Sequence, residues 1–550
     1  VSRTAIAAGG GDGGGTATVE TFDAVVVGAG FAGLSMIHRL RELNLRFVVF
    51  ETGEDVGGTW YWNRYPGARV DLPSLQYSLS FSSELEQDWD WPEMYSPQEV
   101  LAEYTRHVAD RFDMRRDIRF GTTVTSASYE DARRRWFVTT DRDESVRAKY
   151  LICASGSLSA PNVPDFAGLE TFRGEWYHTS RWPTEKVDLT GKRVGIIGTG
   201  STGIQVVPVV AAEAEHLTVF QRTPNFSLPS MNQPMDPEFA AEWKRDYAGH
   251  RERQRMARSG SEVRPFPDRS ALSVSPEERE QVFESTWGDH ITLLTCFNDI
   301  MTNPEANDAA AEFVRDKIRG IVRDPETAEL LCPKGYPIGT KRICLDSGYY
   351  ETFNRENVTL VDVQSDPIAR IEPDGLSTVG AHYALDVIIF ATGFDAVTGP
   401  LFRMNIRGRD GVALADKWAD GPRAYLGLTT SGFPNLFMIT GPGSPSVVSN
   451  VITAIEQHVT WLGRLIEHME RSRFASVEPE VSAEDEWVEH VATVANATLF
   501  PRANSWYMGA NIPGKPRVFM LYVGGVGRYR TICEEVAADG YRGFAFAGPA

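Results

Sequence analysis

One pattern narrows the possible folds more than any other, because it occurs twice. Phe22–Val27, FDAVVV, runs into Gly28-Ala29-Gly30-Phe31-Ala32-Gly33. Apolar residues at helical spacing follow over Leu34–Leu43, and then comes Arg46–Glu51, RFVVFE. Far downstream, Arg193–Ile197, RVGII, runs into Gly198-Thr199-Gly200-Ser201-Thr202-Gly203, then a helical stretch to about Ala214 and Leu217–Gln221, LTVFQ. Each copy reads as strand, glycine turn, helix and second strand, the βαβ unit that holds a dinucleotide. The first glycine allows the tight turn, the second lets the backbone approach a pyrophosphate, and the third lets the helix lie close on the strand. The helix N-terminus then offers free N–H groups and positive partial charge to the phosphates.

The residues that end the two units differ. Glu51, 23 positions after Gly28, can accept from ribose hydroxyls and would repel a 2′-phosphate, which suits FAD. Arg222, 24 positions after Gly198, suits a 2′-phosphate and hence NADP. Two such sites in one chain point to hydride transfer from NADPH to FAD, with the flavin doing the hard chemistry. A reductase, a disulfide oxidoreductase and a monooxygenase all meet that description. The disulfide class needs a reactive cysteine pair, and Cys153, Cys296, Cys332, Cys344 and Cys533 are widely spaced without a C-x-x-C. Such sparse cysteine use suits a reducing cytoplasm. The histidines show no ligand spacing, so no metal site is expected.

Composition trims the field further. Lysine and arginine number 55 against 74 aspartates and glutamates, and the resulting charge of −19 disfavours nucleic acid as a partner. No apolar run approaches the ~18 residues of a membrane helix. Val1–Thr21 contains GGGDGGG, lacks the apolar core of a secretory leader and reads as a flexible tail. Asp131–Tyr150 is hairpin-like and leads to Leu151–Gly156, LICASG. From about Asp236 to Lys334 the chain turns rich in Glu, Arg and Ala, with helical patterns over Pro276–Phe283 and Asn307–Val322. Strand character returns after Leu385 with DVIIFATGF, and Ile452–Ser472 and Ala483–Leu499 read as helices. The fold class expected is α/β, with two Rossmann-like dinucleotide-binding domains, the second inserted in the first.

A third feature is Gly57-Gly58-Thr59-Trp60-Tyr61-Trp62-Asn63-Arg64-Tyr65-Pro66-Gly67-Ala68-Arg69-Val70-Asp71, whose aromatics could wall a flavin and exclude water. A fourth is Phe172-Arg173-Gly174-Glu175-Trp176-Tyr177-His178-Thr179-Ser180-Arg181-Trp182-Pro183, just before the second glycine turn. It resembles the F-x-G-x-x-x-H-x-x-x-W-P fingerprint of Baeyer–Villiger monooxygenases. The G-G-x-W-x-W-x-R-Y-P-G-x-x-x-D run and Ala391-Thr392-Gly393 are similar too, and the likeness extends over the chain after the tail. Gly441–Ser446, GPGSPS, and Ser505-Trp506-Tyr507 resemble the phenylacetone and steroid monooxygenase branch.

The resemblance implies an enzyme that uses FAD, NADPH and oxygen to turn a hydrophobic ketone into an ester or lactone through a flavin C4a-peroxide. Aryl, alicyclic and steroid-like ketones all fit. It implies that Arg342 is the catalytic residue beside the flavin, that Asp71 orients it, and that Lys341 helps Arg222 hold the 2′-phosphate. FAD contacts are implied at Gly28, Gly30, Phe31, Ala32, Gly33, Glu51, Gly58, Thr59, Trp60, Tyr77 and Val124. NADP contacts are implied at Gly198, Thr199, Gly200, Ser201, Thr202, Gly203, Gln205, Arg222, Thr223, Lys341 and Trp506, with Arg502–Pro513 as a segment that closes over NADP. Leu72, Ser446, Val447, Val448 and Val451 are expected to line the substrate pocket. Phe172, Gly174, His178, Trp182 and Pro183 are expected to be structural, His178 as a hydrogen-bonded hinge or core histidine rather than a base. A flavin enzyme that oxygenates nitrogen or sulfur is the alternative, against which Trp182-Pro183 and the Asp71/Arg342 pair speak. The expected partition is a tail (1–21), an FAD domain (22–158 and 389–550), an NADP domain (159–228 and 339–388) and a helical insertion (229–338), in a cytoplasmic monomer.

Overall fold

The structure is a computed structural model and describes residues 19–548. The tail expected over residues 1–21 lies outside the described residues as far as residue 18. Glu20 and Thr21 instead open the first strand, Glu20–Val27. They are held there by Arg46, whose guanidinium donates to the Thr21 carbonyl and the Glu20 carboxylate at 2.5 and 2.6 Å.

Two sheets carry the two glycine turns. In the first, eight-stranded, Glu20–Val27 lies between Phe47–Phe50 and Ser145–Cys153, parallel to both. Val124–Glu130 and Arg135–Thr140 extend it antiparallel, and the remote strands Ile406–Arg407 and Leu436–Met438 join it in parallel. The second sheet has five strands, all parallel, in the order Val358–Asp362, His216–Gln221, Arg193–Ile197, Val387–Phe390, Glu175–His178. Val387–Phe390 is buried at every position, as a parallel strand covered on both faces must be. It belongs wholly to the second sheet. The chain therefore leaves that sheet after Phe390, and the boundary expected between residues 388 and 389 is corrected accordingly. VIIF is uniformly apolar and offers no break in its middle.

The two sheets repeat one design to the third strand. Gly28 and Gly198 take φ of 106° and 110°, a region that only glycine enters freely. A Cβ on Gly28 would stand 2.6 Å from the Ala154 carbonyl oxygen, and one on Gly198 2.5 Å from that of Ala391. Ala154-Ser155-Gly156 and Ala391-Thr392-Gly393 are thus equivalent segments after equivalent strands. The helices Phe31–Glu42 and Ser201–Glu213 press so near their turns that a Cβ on Gly33 or Gly203 would fall 2.0 or 2.2 Å from a carbonyl oxygen.

Four of the six α-helices between Pro237 and Leu331 start on one recurring signal. Asp236-Pro237, Ser275-Pro276, Asn303-Pro304 and Asp324-Pro325 each place a capping side chain before a proline at the first helical position. The last three join the second core, while Pro237–Arg245 buries Trp243 in the first. The long helix Val451–Ser472 lies against Phe31–Glu42 in the first core, through residues such as Leu462 and Ile466. Among the described residues no helix is long and apolar enough to cross a membrane.

A contrast between two glycines tests this packing. Gly33→Ala should lose about 1–3 kcal/mol of stability in thermal denaturation, because backbone must move to admit the methyl group. Gly200→Ala should melt like the parent, since nothing lies within 4 Å of its would-be Cβ.

Candidate functional site

Both helices begin without a capping side chain. The first-turn N–H groups of Phe31 and Ala32, and of Ser201 and Thr202, are thereby left to an anion. At the first turn, Glu51 is 5% exposed. Its Oε2 accepts from the Ala29 N–H and its Oε1 from the Gly53 N–H, each at 2.7 Å. Burial pushes its pKa up, against those two bonds and the charge of Arg181. Each oxygen keeps a second lone pair, which ribose hydroxyls can use. The Glu51 carbonyl accepts from Thr122 at 2.9 Å, which brings Val124 alongside. Gly58 and Thr59 open the short helix Thr59–Trp62, and a Cβ on Gly30 would lie 3.3 Å from Gly58 Cα. Trp60 Nε1 donates to the Tyr77 hydroxyl at 3.3 Å, and the ring of Phe31 meets Tyr77 edge-on at 5.5 Å. These residues fit a flavin nucleotide: a helix end for phosphate, a carboxylate for ribose and an aromatic wall.

The second turn is open where the first is crowded, since Gly200 faces free space. Thr199 donates to the Thr223 carbonyl at 3.0 Å. Gln205 accepts from the Tyr65 hydroxyl at 2.8 Å and donates to the Arg69 carbonyl at 3.0 Å, tying this helix to the aromatic run. Arg222 is exposed, and among the described residues neither it nor Lys341 has a carboxylate partner. Lys341 Nζ lies 4.4 Å over the Tyr336 ring. Burial, and then the neighbouring Arg222, pull its pKa down to about 8. Two cations that repel each other and lack a counter-charge fit a dianion such as a 2′-phosphate.

Arg342 and Asp71 meet as a fork. Nε and Nη2 donate to the two carboxylate oxygens at 2.5 and 2.6 Å, and Nη1 donates to the Val447 carbonyl at 2.9 Å. Burial opposes both charges, but the pairing outweighs it. Arg342 is held above its ordinary pKa and Asp71 below its own. Arg342 opens on a cavity that is partly open to solvent. Leu72, His290, Leu294, Val448, Tyr507 and Tyr522 contribute to its wall. Burial pushes Tyr507 up to about 12, so its hydroxyl keeps its proton beside Arg342.

Of the five residues expected in the pocket, Leu72 and Val448 stand in this wall. Ser446, at φ 43°, turns its hydroxyl to Ser157 at 3.0 Å. Val447 serves through its carbonyl, and Val451 heads the helix Val451–Ser472. Trp506 lies on the turn Trp506–Met508, with its ring 4.3 Å from that of Tyr507. The segment expected to close over NADP is fastened by Asn511, which donates to the Phe394 carbonyl at 2.7 Å, and nearby by the Lys515–Asp395 pair at 2.6 Å. Tyr507 and His290 were not foreseen. Tyr507 sits in the quoted S-W-Y motif, whereas a lone histidine in a helical stretch carries no signal.

His178 is fully engaged. Its Nδ1 accepts from the Ser180 N–H and hydroxyl at 3.2 and 2.7 Å, and its Nε2 faces the Asn162 carbonyl at 3.3 Å and the Thr392 hydroxyl at 3.2 Å. The partners assign the proton to Nε2. Burial lowers its pKa. Trp182 is buried against Tyr177 at 5.2 Å, Phe172 packs on the core of the second sheet, and Gly174 and Pro183 flank this strand and turn.

Residues 23–235 match the family model for flavin-binding monooxygenase-like proteins. A Baeyer–Villiger monooxygenase of Pseudooceanicola batsensis is 46% identical over 94% of this chain and 95% of its own. The phenazine N-monooxygenase PhzNO1 of Lysobacter antibioticus is 42% identical over 95% of this chain and 96% of its own. The structure of an oxidised steroid monooxygenase bound to NADP superimposes with a TM-score of 0.92 at 51% identity, over 96% of this chain and all of that one.

The isolated pair of cations yields a prediction with a definite sign. A lysine whose folded pKa is depressed costs stability while it is charged, and that cost vanishes above its unfolded pKa. Lys341→Met should therefore raise the melting temperature of the ligand-free protein at pH 7 and leave it nearly unchanged near pH 10.5.

Proposed function

The chain belongs to the Baeyer–Villiger monooxygenases, flavoproteins that use NADPH and oxygen to turn ketones into esters or lactones, and on that footing we propose how its residues divide the work. The observation that carries the reading is the Asp71–Arg342 fork at the cavity wall. A guanidinium does not lose its proton at working pH, so it is a dependable partner for negative charge that develops on oxygen. Asp71 and Val447 take three of its five N–H groups. Two remain for the Tyr507 hydroxyl and for oxygen in the cavity. Asp71 is a positioning residue: it fixes the plane of the fork and keeps its charge there.

FAD, when bound and reduced by NADPH, supplies the activation of oxygen. The first glycine turn, Glu51, Val124 and the Trp60–Tyr77 pair hold it. The second turn, Thr199, Gln205, Arg222, Thr223, Lys341 and Trp506 serve NADPH. Leu72, Leu294 and Val448 receive the hydrocarbon of a hydrophobic ketone and exclude water from it. Ketones of the aryl, alicyclic or steroid-like kind suit such walls. We place the chain in a reducing cytoplasm as a monomer; all five cysteines are free and buried.

The N-oxygenating relative supports a second reading, oxidation of nitrogen or sulfur in the same cavity. Offering a ketone and a thioether together and weighing the products separates the two. Arg342→Ala should abolish ester formation while NADPH still reduces the flavin; equal loss of both half-reactions would remove the assigned role. Arg222→Ala should raise KM for NADPH roughly 10- to 150-fold, as loss of a charged phosphate contact does, and barely alter that for NADH. Stopped-flow reduction with each nucleotide measures this.

A further inference from the structure

His290 is a side chain of the cavity wall with ring nitrogens that the proposed chemistry leaves without a task. It opens the helix His290–Thr295 and is 8% exposed. Among the described residues neither ring nitrogen has a hydrogen-bond partner. The adjacent carboxylate is turned to the helix end instead. Asp289 Oδ1 accepts from the Ile291 and Thr292 N–H groups at 3.1 and 3.0 Å, and its Oδ2 accepts from the Thr292 hydroxyl. Leu72, Ile291, Leu294, Met301 and Val448 give the same cavity its apolar wall, and Arg258, Ser259, Thr295 and Ser449 add polar edges to it. Across it lie the charges of Asp71 and Arg342, already spent on each other. Burial keeps its pKa below the ordinary value against the pull of Asp71, so the ring is neutral, with one donor and one acceptor. Neither nitrogen is among the sealed, unpartnered polar atoms of the described residues, and the ring lines the cavity, so a partner can reach it from there.

We propose that His290 is a specificity-determining residue that receives a second hydrogen-bonding oxygen of the substrate. The ketones best served are then apolar ones that carry a hydroxyl or a further carbonyl away from the reacting carbonyl. This rests on the reading of the cavity as the ketone site.

The test uses the FAD-loaded enzyme and two ketones that differ by one hydroxyl, 4-(4-hydroxyphenyl)butan-2-one and 4-phenylbutan-2-one. Ester formation is followed by mass spectrometry and kcat/KM is taken for each. The parent should favour the hydroxylated ketone by about tenfold, the scale of one hydrogen bond to a buried group. His290→Phe should bring the ratio toward one, and His290→Gln, which keeps a donor and an acceptor, should restore part of it. No preference in the parent overturns the inference, as does a preference that survives in His290→Phe. So does a rise in KM for NADPH with the ratio unchanged, which would assign the ring to the nucleotide. Conversion of both ketones without preference defeats this inference alone. Reduction of the flavin with no ester from either ketone defeats the reading of the cavity as well.

Discussion

The cavity depends on an ion pair whose members are 271 residues apart in the chain. Asp71 ends the aromatic run that follows the first nucleotide unit. Arg342 precedes the strand Cys344–Asp346, which pairs with Ser227–Pro229 beyond the second unit. Neither unit alone holds both halves of the fork. Taking two charges out of water is costly, and such a pair contributes orientation more than stability. What this pair supplies is geometry: a guanidinium held at two edges presents its remaining N–H groups in one plane. The neighbouring Lys341 faces away, over Tyr336 and beside Arg222. Two consecutive residues thus address two sites.

The linkers between the units are tied with comparable care. The Thr392 hydroxyl donates to the Asn162 carbonyl at 2.6 Å, and His178 contacts both residues while Ser180 donates to its other nitrogen. Asn162 lies on the outgoing connection and Thr392 on the returning one. The histidine of the fingerprint therefore clamps two crossing segments. A proton-transfer role would need a free nitrogen, and it has none.

Much of this was readable from local chemistry. Glycine turns and the strands that feed them are short-range signals, and they fall where the pattern places them. What depends on distant partners was not readable in that way. Lys341-Arg342 by itself is an ordinary basic pair, and only family resemblance singled it out. Val447 and Ser446 were expected to offer side chains to the pocket. The backbone twist at Ser446 turns its hydroxyl to Ser157, and the next carbonyl, not the valine side chain, meets Arg342. The sheet to which Val387–Phe390 belongs is likewise decided by partners, since a buried apolar strand satisfies either neighbourhood. His290 gave no warning because what distinguishes it is the lack of a neighbour.

The strand order also governs how the chain can be made. Val387–Phe390 sits inside the second sheet, between strands that emerge from the ribosome some two hundred residues earlier. Leu436–Met438 likewise completes the first sheet against Ser145–Cys153. During translation, therefore, Glu175–His178 and Arg193–Ile197 each wait with an unsatisfied edge until the same late segment arrives to bridge them. Nascent chains of this enzyme carry open β-edges through much of their synthesis, which makes them natural clients for chaperones that shield such edges.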